Sequence, residues 1–214
     1  MVGGVQGKIA QATDFTASPL RYLEVSNRTD LSFGNGTQDS PFSISVWVNL
    51  DTLSNNRIFS KSGTSGAYEY LLGVDGSGKL SFILYDDNGA NSIRVTGSDM
   101  TSWVGKWCHV AATYDGSGNS AGLKSWLNGV NVSSSGSTNG TYVAMANFDV
   151  AATAGWFAYP PEGGNVKLDE LRLCSGERSP SWLWAEYQTV ASNGTFNTAG
   201  IVQKRPCGTV MVVQ

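Results

Sequence analysis

The segment Pro41-Phe42-Ser43-Ile44-Ser45-Val46-Trp47-Val48-Asn49-Leu50 decides the fold class. Its aliphatic and phenylalanine residues recur at every second position, and serine, tryptophan and asparagine fill the positions between them. A period of two is that of a β-strand, in which successive side chains point to opposite faces of a sheet. One face of this strand is therefore predicted to lie against a hydrophobic core.

Short runs of the same kind continue on both sides of this segment. Turn-forming residues separate them at about the 8–12-residue spacing typical of a β-sandwich or barrel. Further strands are predicted over residues 21–25, 57–61, 68–74, 79–85, 92–96, 107–114, 123–127, 130–133, 143–152 and 166–174. The sequences at 75–78 and at Asn128-Gly129 predict two hairpins. Tight hairpin turns need positive φ angles, which glycine and asparagine adopt more readily than other residues. One short helix is predicted over 179–190, where Ser179 can cap it and Pro180 can open it.

The composition is that of a turn-rich all-β protein. Of the 214 residues, 26 are glycine and 7 are tryptophan, and only 14% are charged, against about 25% in an average protein. The formal net charge of −3 argues against a nucleic-acid partner, because binding to phosphates requires a basic patch. Membrane insertion is not expected, since no apolar stretch approaches the ~18–20 residues that a spanning helix needs.

We expect one domain over residues 1–200 and a C-terminal tail over 201–214, because no linker-like segment divides the predicted strands. The apolar end of the tail is typical of an edge strand or of a truncated linker. Residues 1–8 lack the basic and apolar regions of a signal peptide. The chain is therefore expected to be a piece of a longer exported protein, or to be exported or assembled by another route. Its cysteines (Cys108, Cys174 and Cys207) are odd in number, and their redox state is left open.

Five segments occur in a familiar order. They are GKIAQATDF (7–15), PFSISVWV (41–48), GKWCHVAATYD (105–115), LNGV (127–130) and LDELRL (168–173). Together they resemble the laminin-G-like, concanavalin A-like modules of bacterial extracellular proteins. The segments RSPSWLWAEY (178–187) and ASNGTFN (191–197) resemble the sequence that follows such modules in large bacterial surface proteins.

The resemblance implies an all-β jelly-roll sandwich of two antiparallel sheets, one concave and one convex, with a short C-terminal helix. It also implies recognition of glycans or proteins at the cell surface, often with calcium. It does not fix a ligand, because one fold hosts many functions. One departure weakens a calcium site near the N-terminal strand: Phe15 is followed by Thr16-Ala17, where many members carry Asp-Gly.

Catalysis is not expected. Related glucanases carry paired carboxylates in the string Glu-x-Asp-x-x-Glu, and this string does not occur in the chain. His109 is the one histidine, and it lies inside a predicted strand with Cys108 on the opposite face. A packed or hydrogen-bonded structural histidine is therefore the favoured interpretation, and a catalytic triad is disfavoured.

Calcium is the cofactor that the resemblance implies, with Asp169 and Asp39 as candidate ligands. In related folds the aspartate of the late strand reaches a corner near the N-terminal strand, close to the loop 33–39. Calcium prefers several carboxylate and carbonyl oxygens. Alternatively, Asp169 and Glu170 bind backbone groups or pair with Arg172 or Arg178. The polar loop 86–91 is a second calcium option, for which a solvated turn is the simpler interpretation.

A sugar-binding surface is predicted in the loop 155–165, which is rich in glycine and proline and contains three aromatic residues. Sugars stack an apolar face on aromatic rings and form hydrogen bonds at their edges. Trp156 and Tyr159 are the predicted stacking residues, with polar residues of a second loop beside them: Asp86, Asp87 and Asn88. The alternative is that Trp156 and Phe157 fold back to cover one end of the sandwich.

The sequence thus predicts a non-catalytic module that binds a polysaccharide or a glycoprotein glycan at a bacterial cell surface or in a secreted protein. A second prediction, from a different class, is a structural subunit of a filament or virion surface that assembles with protein partners through the tail. A degenerate hydrolase is the third.

Overall fold

The computed structural model describes residues 4–15, 20–53, 56–86, 89–134, 136–158 and 161–196. The predicted tail at 201–214, its assembly role and Cys207 lie outside the described residues, so the predicted domain boundary stays a prediction. Cys108 and Cys174 form no disulfide within the described part of the chain.

Strands, two C-terminal α-helices and four single-turn 3-10 helices make up the regular structure of the described residues. In chain order the strands are β1 Gly4–Gln6, β2 Gln11–Phe15, β3 Leu23–Val25, β4 Phe42–Leu50, β5 Arg57–Ser62, β6 Tyr68–Val74, β7 Lys79–Tyr85, β8 Ser92–Asp99, β9 Trp107–Tyr114, β10 Leu123–Leu127, β11 Val130–Asn131, β12 Ser137–Asn139, β13 Ala152–Ala154, β14 Trp156–Phe157, β15 Glu162–Gly163 and β16 Val166–Ser175. The helices are α1 Pro180–Ala191 and α2 Asn193–Phe196. Neither helix is long and apolar enough to cross a membrane, and none of the other described segments forms such a helix.

Two antiparallel sheets of seven strands each form a sandwich within the described residues. The strand order of the first sheet is β1-β2-β16-β4-β9-β10-β11, and that of the second is β12-β8-β7-β6-β5-β13-β3. The predicted all-β, two-sheet jelly-roll fold with a short C-terminal helix is therefore confirmed. The order also brings together strands that are distant in sequence, such as β4 and β16 at the centre of the first sheet.

The core lies between the sheets and follows the predicted alternation. In β4 the buried core positions are Phe42, Ile44, Val46, Val48 and Leu50. The second sheet faces them with alternate residues of its central strands: Tyr70, Leu72, Val74, Leu80, Phe82, Leu84, Ile93 and Val95. Both predicted hairpins form, and Asn128 and Gly129 both adopt positive φ (51° and 76°), as a two-residue turn of this type requires.

The predicted strand over 143–152 is wrong. Only Ala152–Ala154 is a strand there, and the residues before it run across one end of the core without a ladder partner. Backbone amides of this segment bind buried carboxylates and not a neighbouring strand. Asp39 accepts a hydrogen bond from the Met145 amide, and Glu69 accepts one from the Phe148 amide. Lys61, fully buried, pairs with Glu69 at 2.7 Å and donates to the Phe148 carbonyl. These long-range partners are not visible in the local pattern.

The C-terminal helix confirms the prediction for 179–190. Ser179 accepts a hydrogen bond from the Trp182 amide as N-cap, and Pro180 opens the helix. On its inner side, fully buried Leu183 packs with Ala111 and Trp126 of β9 and β10. Helix α1 therefore covers the outer face of the first sheet.

Candidate functional site

The two sheets have different outer faces. We call the outer face of the first sheet, beneath α1, the covered face. We call the outer face of β5 to β8 in the second sheet the open face. The short hairpin of β14 and β15 flanks the open face at β5, where the Ser60 hydroxyl donates to the Trp156 carbonyl.

The covered face holds a cavity of about 730 Å³ between α1 and strands β4 and β16. Its polar groups are mostly paired with one another. Glu186 of α1 accepts hydrogen bonds from Ser45 (2.9 Å) and Arg172 (2.7 Å), and Ser43 accepts from the Arg178 amide and donates to Gly176. These contacts hold the helix on the sheet and leave few groups for a ligand, so the size of this cavity does not make it the best candidate.

His109 is a packed residue of the covered face, as predicted. It is only 1% exposed, and its ring lies against Trp47 and Tyr187. Burial lowers its pKa to about 4, although Glu186, 3.9 Å away, acts in the opposite direction. Cys108 points to the other side, into the core, where burial raises the pKa of its thiol to about 12. The two side chains do not form a nucleophile–base pair, because they lie on opposite faces of β9.

The structure does not bring Asp169 and Asp39 together. Asp169 lies beside Trp47 on the covered side, and its Oδ2 accepts a hydrogen bond from the Ile9 amide at 2.7 Å. This contact is the backbone alternative considered from sequence.

Asp39 instead lies at one end of the core and accepts from the hydroxyls of Tyr114 and Tyr142 and from the Met145 amide. Burial raises its pKa despite these bonds. The described residues contain no cluster of three or more His, Cys, Asp or Glu side chains that could hold a metal. Asp39 and Asp169 therefore do not fit a shared calcium site. Calcium binding stays a prediction, which a comparison of melting temperatures in calcium and in EDTA would test.

Of the predicted sugar-binding residues, the structure describes Trp156 and Asp86, whereas Tyr159, Asp87 and Asn88 lie outside the described residues. The two predicted loops do approach each other, through the rings of Phe157 and Tyr85 at 6.4 Å. Trp156, however, points to the other side of its hairpin and stacks on Tyr22 at 5.5 Å. Consecutive residues of an extended segment point in opposite directions, which explains why Phe157 and not Trp156 faces the second loop.

An aromatic cluster therefore forms on the open face. Phe157 lies 5.1 Å from Tyr68, and Tyr68 lies 5.5 Å from Tyr85 in an edge-to-face contact. Leu71 and Ile83 complete the cluster from neighbouring strands. Tyr85 is the partly exposed member of the cluster, and the other four residues are buried. Burial raises the pKa of Tyr85, so its hydroxyl stays uncharged at neutral pH.

A polar cavity of about 200 Å³ adjoins the aromatic cluster. Leu71 and Ile83 belong to both, and the cavity is further lined by Arg57, Ser81 and Arg94. The Arg57 guanidinium lies 5.6 Å from the Phe157 ring and so connects the two parts. The open face thus combines an aromatic surface with cationic and hydroxyl donors within one patch.

Sequence reasoning missed Tyr85, Arg57, Ser81 and Arg94. The alternation of β8 already places Arg94 outward, because Ile93 and Val95 point into the core. The signal that unites these residues is the strand order β8-β7-β6-β5, which places them in one patch. This order was not deducible from the alternation of each strand.

Comparison with known proteins gives one family and a set of similar folds. A sequence model of the laminin-G-like family, described as the concanavalin A-like lectin/glucanases superfamily, matches residues 22–183. No curated protein matches the sequence. Among solved structures, the binding domain of paraclostridial mosquitocidal protein 1 matches with a TM-score of 0.66 and 14% identity, over 89% of this chain and 46% of that one.

Two further structures illustrate what such folds bind. Domain 4 of an extracellular arabinanase from Geobacillus stearothermophilus, solved with arabinotriose, matches with a TM-score of 0.53 and 22% identity, over 86% of this chain and 80% of that one. The binding domain of botulinum neurotoxin DC, solved with rat synaptotagmin II, matches with a TM-score of 0.63 and 12% identity, over 88% and 45%. The chain spans about half the length of the two toxin domains. At these identities the similarity shows the fold alone.

Proposed function

Because the chain belongs to the concanavalin A-like lectin/glucanases superfamily, we propose that it is a non-catalytic binding module that takes a glycan on its open face. The arabinanase domain solved with arabinotriose supports a sugar ligand for this fold. We propose further that the module acts outside the cell, as part of a secreted or surface protein.

The observation that carries the proposal is the aromatic cluster beside the polar cavity. Tyr85, the partly exposed member of the cluster, provides a ring on which the apolar face of a sugar can stack, and the buried rings of Phe157 and Tyr68 support it from beneath. Arg57, Ser81 and Arg94 supply hydrogen-bond donors next to it. An apolar surface with a small number of polar groups is the usual composition of a small-molecule site.

A glycan and polysaccharide array on the folded protein tests this proposal, followed by affinity measurements on two single variants. We expect Tyr85→Ala to weaken binding of any glycan hit roughly tenfold or more, because aromatic anchors carry much of the binding energy at such sites. Trp156→Ala is the matched control, since it removes an aromatic residue that stacks on Tyr22, on the other side of the hairpin.

The opposite result, with Trp156→Ala abolishing binding and Tyr85→Ala without effect, would move the site to the surface first predicted from sequence. A blank array with folded protein would contradict a glycan ligand altogether. The array tests the calcium prediction only when it is repeated in EDTA, where loss of binding would support a role for calcium.

A further inference from the structure

The polar cavity of the open face lies across four adjacent strands. Arg57 pairs with Gly73 in the register of β5 and β6, and Gly73 pairs with Ser81 in that of β6 and β7. Arg94 of β8 pairs with Ile83, two residues along β7 from Ser81. Adjacent strands lie about 4.8 Å apart, so the long side chains of Arg57 and Arg94 reach toward the same space from opposite sides. Gly73 contributes no side chain between them.

Three of the side chains that line this cavity carry donors that lack an acceptor. Ser81 is 4% exposed, and its hydroxyl has no hydrogen-bond partner. Arg57 forms an ion pair with Glu162 through Nη2, but its buried Nε has no partner. Arg94 makes no ion pair with any residue that the structure describes. Unmet donors of this kind cost stability, so they indicate that an acceptor from outside the chain completes the site.

The charge of the cavity points to the type of acceptor. Its acidic lining residue, Asp75, uses Oδ1 to accept hydrogen bonds from Ser77 and from the Lys79 amide within its own turn. Burial lowers the pKa of Arg57; the charge of Arg94 acts in the same direction, whereas Tyr85 and Asp75 act in the opposite direction. Arginine nevertheless stays protonated at neutral pH. The charges of Asp75 and Glu162 offset part of the positive charge of the two arginines. A carboxylate placed between Arg57 and Arg94 would accept from the donors that these two carboxylates leave without a partner.

We propose that the cavity binds the carboxylate of an acidic sugar residue, such as a uronic or sialic acid, while the rest of the glycan stacks on Tyr85. This inference rests on the proposed glycan-binding function. The planar guanidinium of Arg94 matches a carboxylate through two parallel hydrogen bonds. Ser81 and the Nε of Arg57 donate to the remaining lone pairs. A volume of about 200 Å³ is below the usual range of about 300–1,000 Å³ for larger ligands, and so suits one terminal or branch group.

The test uses matched pairs of probes. Polygalacturonate, alginate, hyaluronate and sialyllactose are each compared with their carboxyl-reduced forms, and dextran sulfate serves as an anion without carboxylates. We expect at least one carboxylated probe to bind tenfold or more tightly than its reduced partner and more tightly than dextran sulfate. The preference should weaken as salt increases, because the exposed Arg94 is screened.

Variants locate the effect. Arg94→Gln is expected to reduce the affinity for the carboxylated probe at least tenfold and that for its reduced partner much less, so that the preference for the carboxylate is largely lost. Arg28→Gln removes the same charge from an exposed pair with Asp30 outside the cavity, and should leave both affinities within twofold.

Ser81→Ala gives a second readout that does not depend on charge. It should weaken the binding of the carboxylated probe several-fold. The free protein should be as stable as the wild type or slightly more stable, since the change removes a buried hydroxyl without a partner.

The outcomes separate this inference from the proposed function. Equal affinity for carboxylated and reduced probes, with Arg94→Gln silent, would overturn the carboxylate site and leave the glycan-binding function standing. Tighter binding of dextran sulfate than of every carboxylated probe would likewise overturn it, in favour of sulfate esters or unspecific anions. Binding of no probe by folded protein would overturn both.

Discussion

The covered face and the open face are the two sides of one sandwich, and both carry arginine and serine side chains above a buried layer. On the covered face, Glu186 of α1 accepts from Ser45 and Arg172, so the arginine and serine groups there are used within the fold, although the ring nitrogens of His109 and Trp47 have no hydrogen-bond partner. On the open face, Ser81 has no partner and Arg94 has no ion pair among the described residues. Arginine and serine side chains therefore hold the helix in place on one side, and on the other side they line the proposed ligand site. Four stability measurements test this contrast.

The largest effect is expected from Leu183→Ala on the covered face. Leu183 belongs to α1, and its side chain is fully buried against Ala111 and Trp126 of the first sheet. Its truncation should reduce the free energy of unfolding by about 2–5 kcal/mol, because it removes apolar burial and leaves a cavity. Urea denaturation would measure this loss. Val130→Ala is the control, since Val130 is 61% exposed and should cost less than about 0.5 kcal/mol. Equal effects would mean that the helix is not part of the cooperative fold.

The next effect is the pH dependence of His109. Its pKa is about 4 in the folded protein and 6.5 in the unfolded chain, because burial disfavours the charged ring more than Glu186 favours it. The stability is therefore fully present above pH 6.5. It falls as the pH drops from 6.5 toward 4, since the unfolded chain then binds the proton more readily.

The loss should reach up to about 3 kcal/mol in the wild type and be absent from His109→Gln over the same range. Denaturant midpoints at several pH values, compared between the two proteins, remove the contributions of other titrating groups. Parallel pH profiles would contradict the buried, neutral state of His109.

A smaller loss is expected from Glu186→Ala. The change leaves Ser45 without its acceptor and Arg172 without one of its two carboxylate partners. We expect a loss of about 1–3 kcal/mol in the free energy of unfolding, which is the usual cost of leaving a buried polar group without its hydrogen-bond partner. Glu177→Ala breaks the more exposed pair with Lys124 and should cost less than about 1 kcal/mol. A Glu186 variant as stable as the Glu177 variant would show that the polar contacts do not hold the helix.

The smallest effect is expected from Arg94→Ala on the open face. Because Arg94 is exposed and has no ion pair with a described residue, its removal should change the free energy of unfolding by less than about 0.5 kcal/mol. Differential scanning calorimetry of the free protein would measure it. A large loss would mean that Arg94 is structural, and the contrast between the two faces would then disappear.

Local signals in the sequence were sufficient for most elements. The alternation in β4, the Asn128-Gly129 turn and the Ser179-Pro180 start of α1 each depend on neighbouring residues, and the structure confirms all three. The strand predicted at 143–152 failed because Asp39 and Glu69, distant in sequence, bind its backbone. Where the partner is a buried side chain from another part of the chain, periodicity carries no information about it.

For the candidate site, too, some features were predictable from local sequence and others depended on the tertiary structure. The sequence by itself determined a two-sheet sandwich and indicated aromatic residues at 155–165 beside a polar loop after β7, because composition and alternation are local properties. Only the tertiary structure decided that Phe157 packs beside Tyr85, and that Trp156 faces Tyr22. The tertiary structure also placed Arg57, Ser81 and Arg94 around one cavity, because strand order and register set the distances between them. Neither the order nor the register can be deduced from the sequence of a single strand.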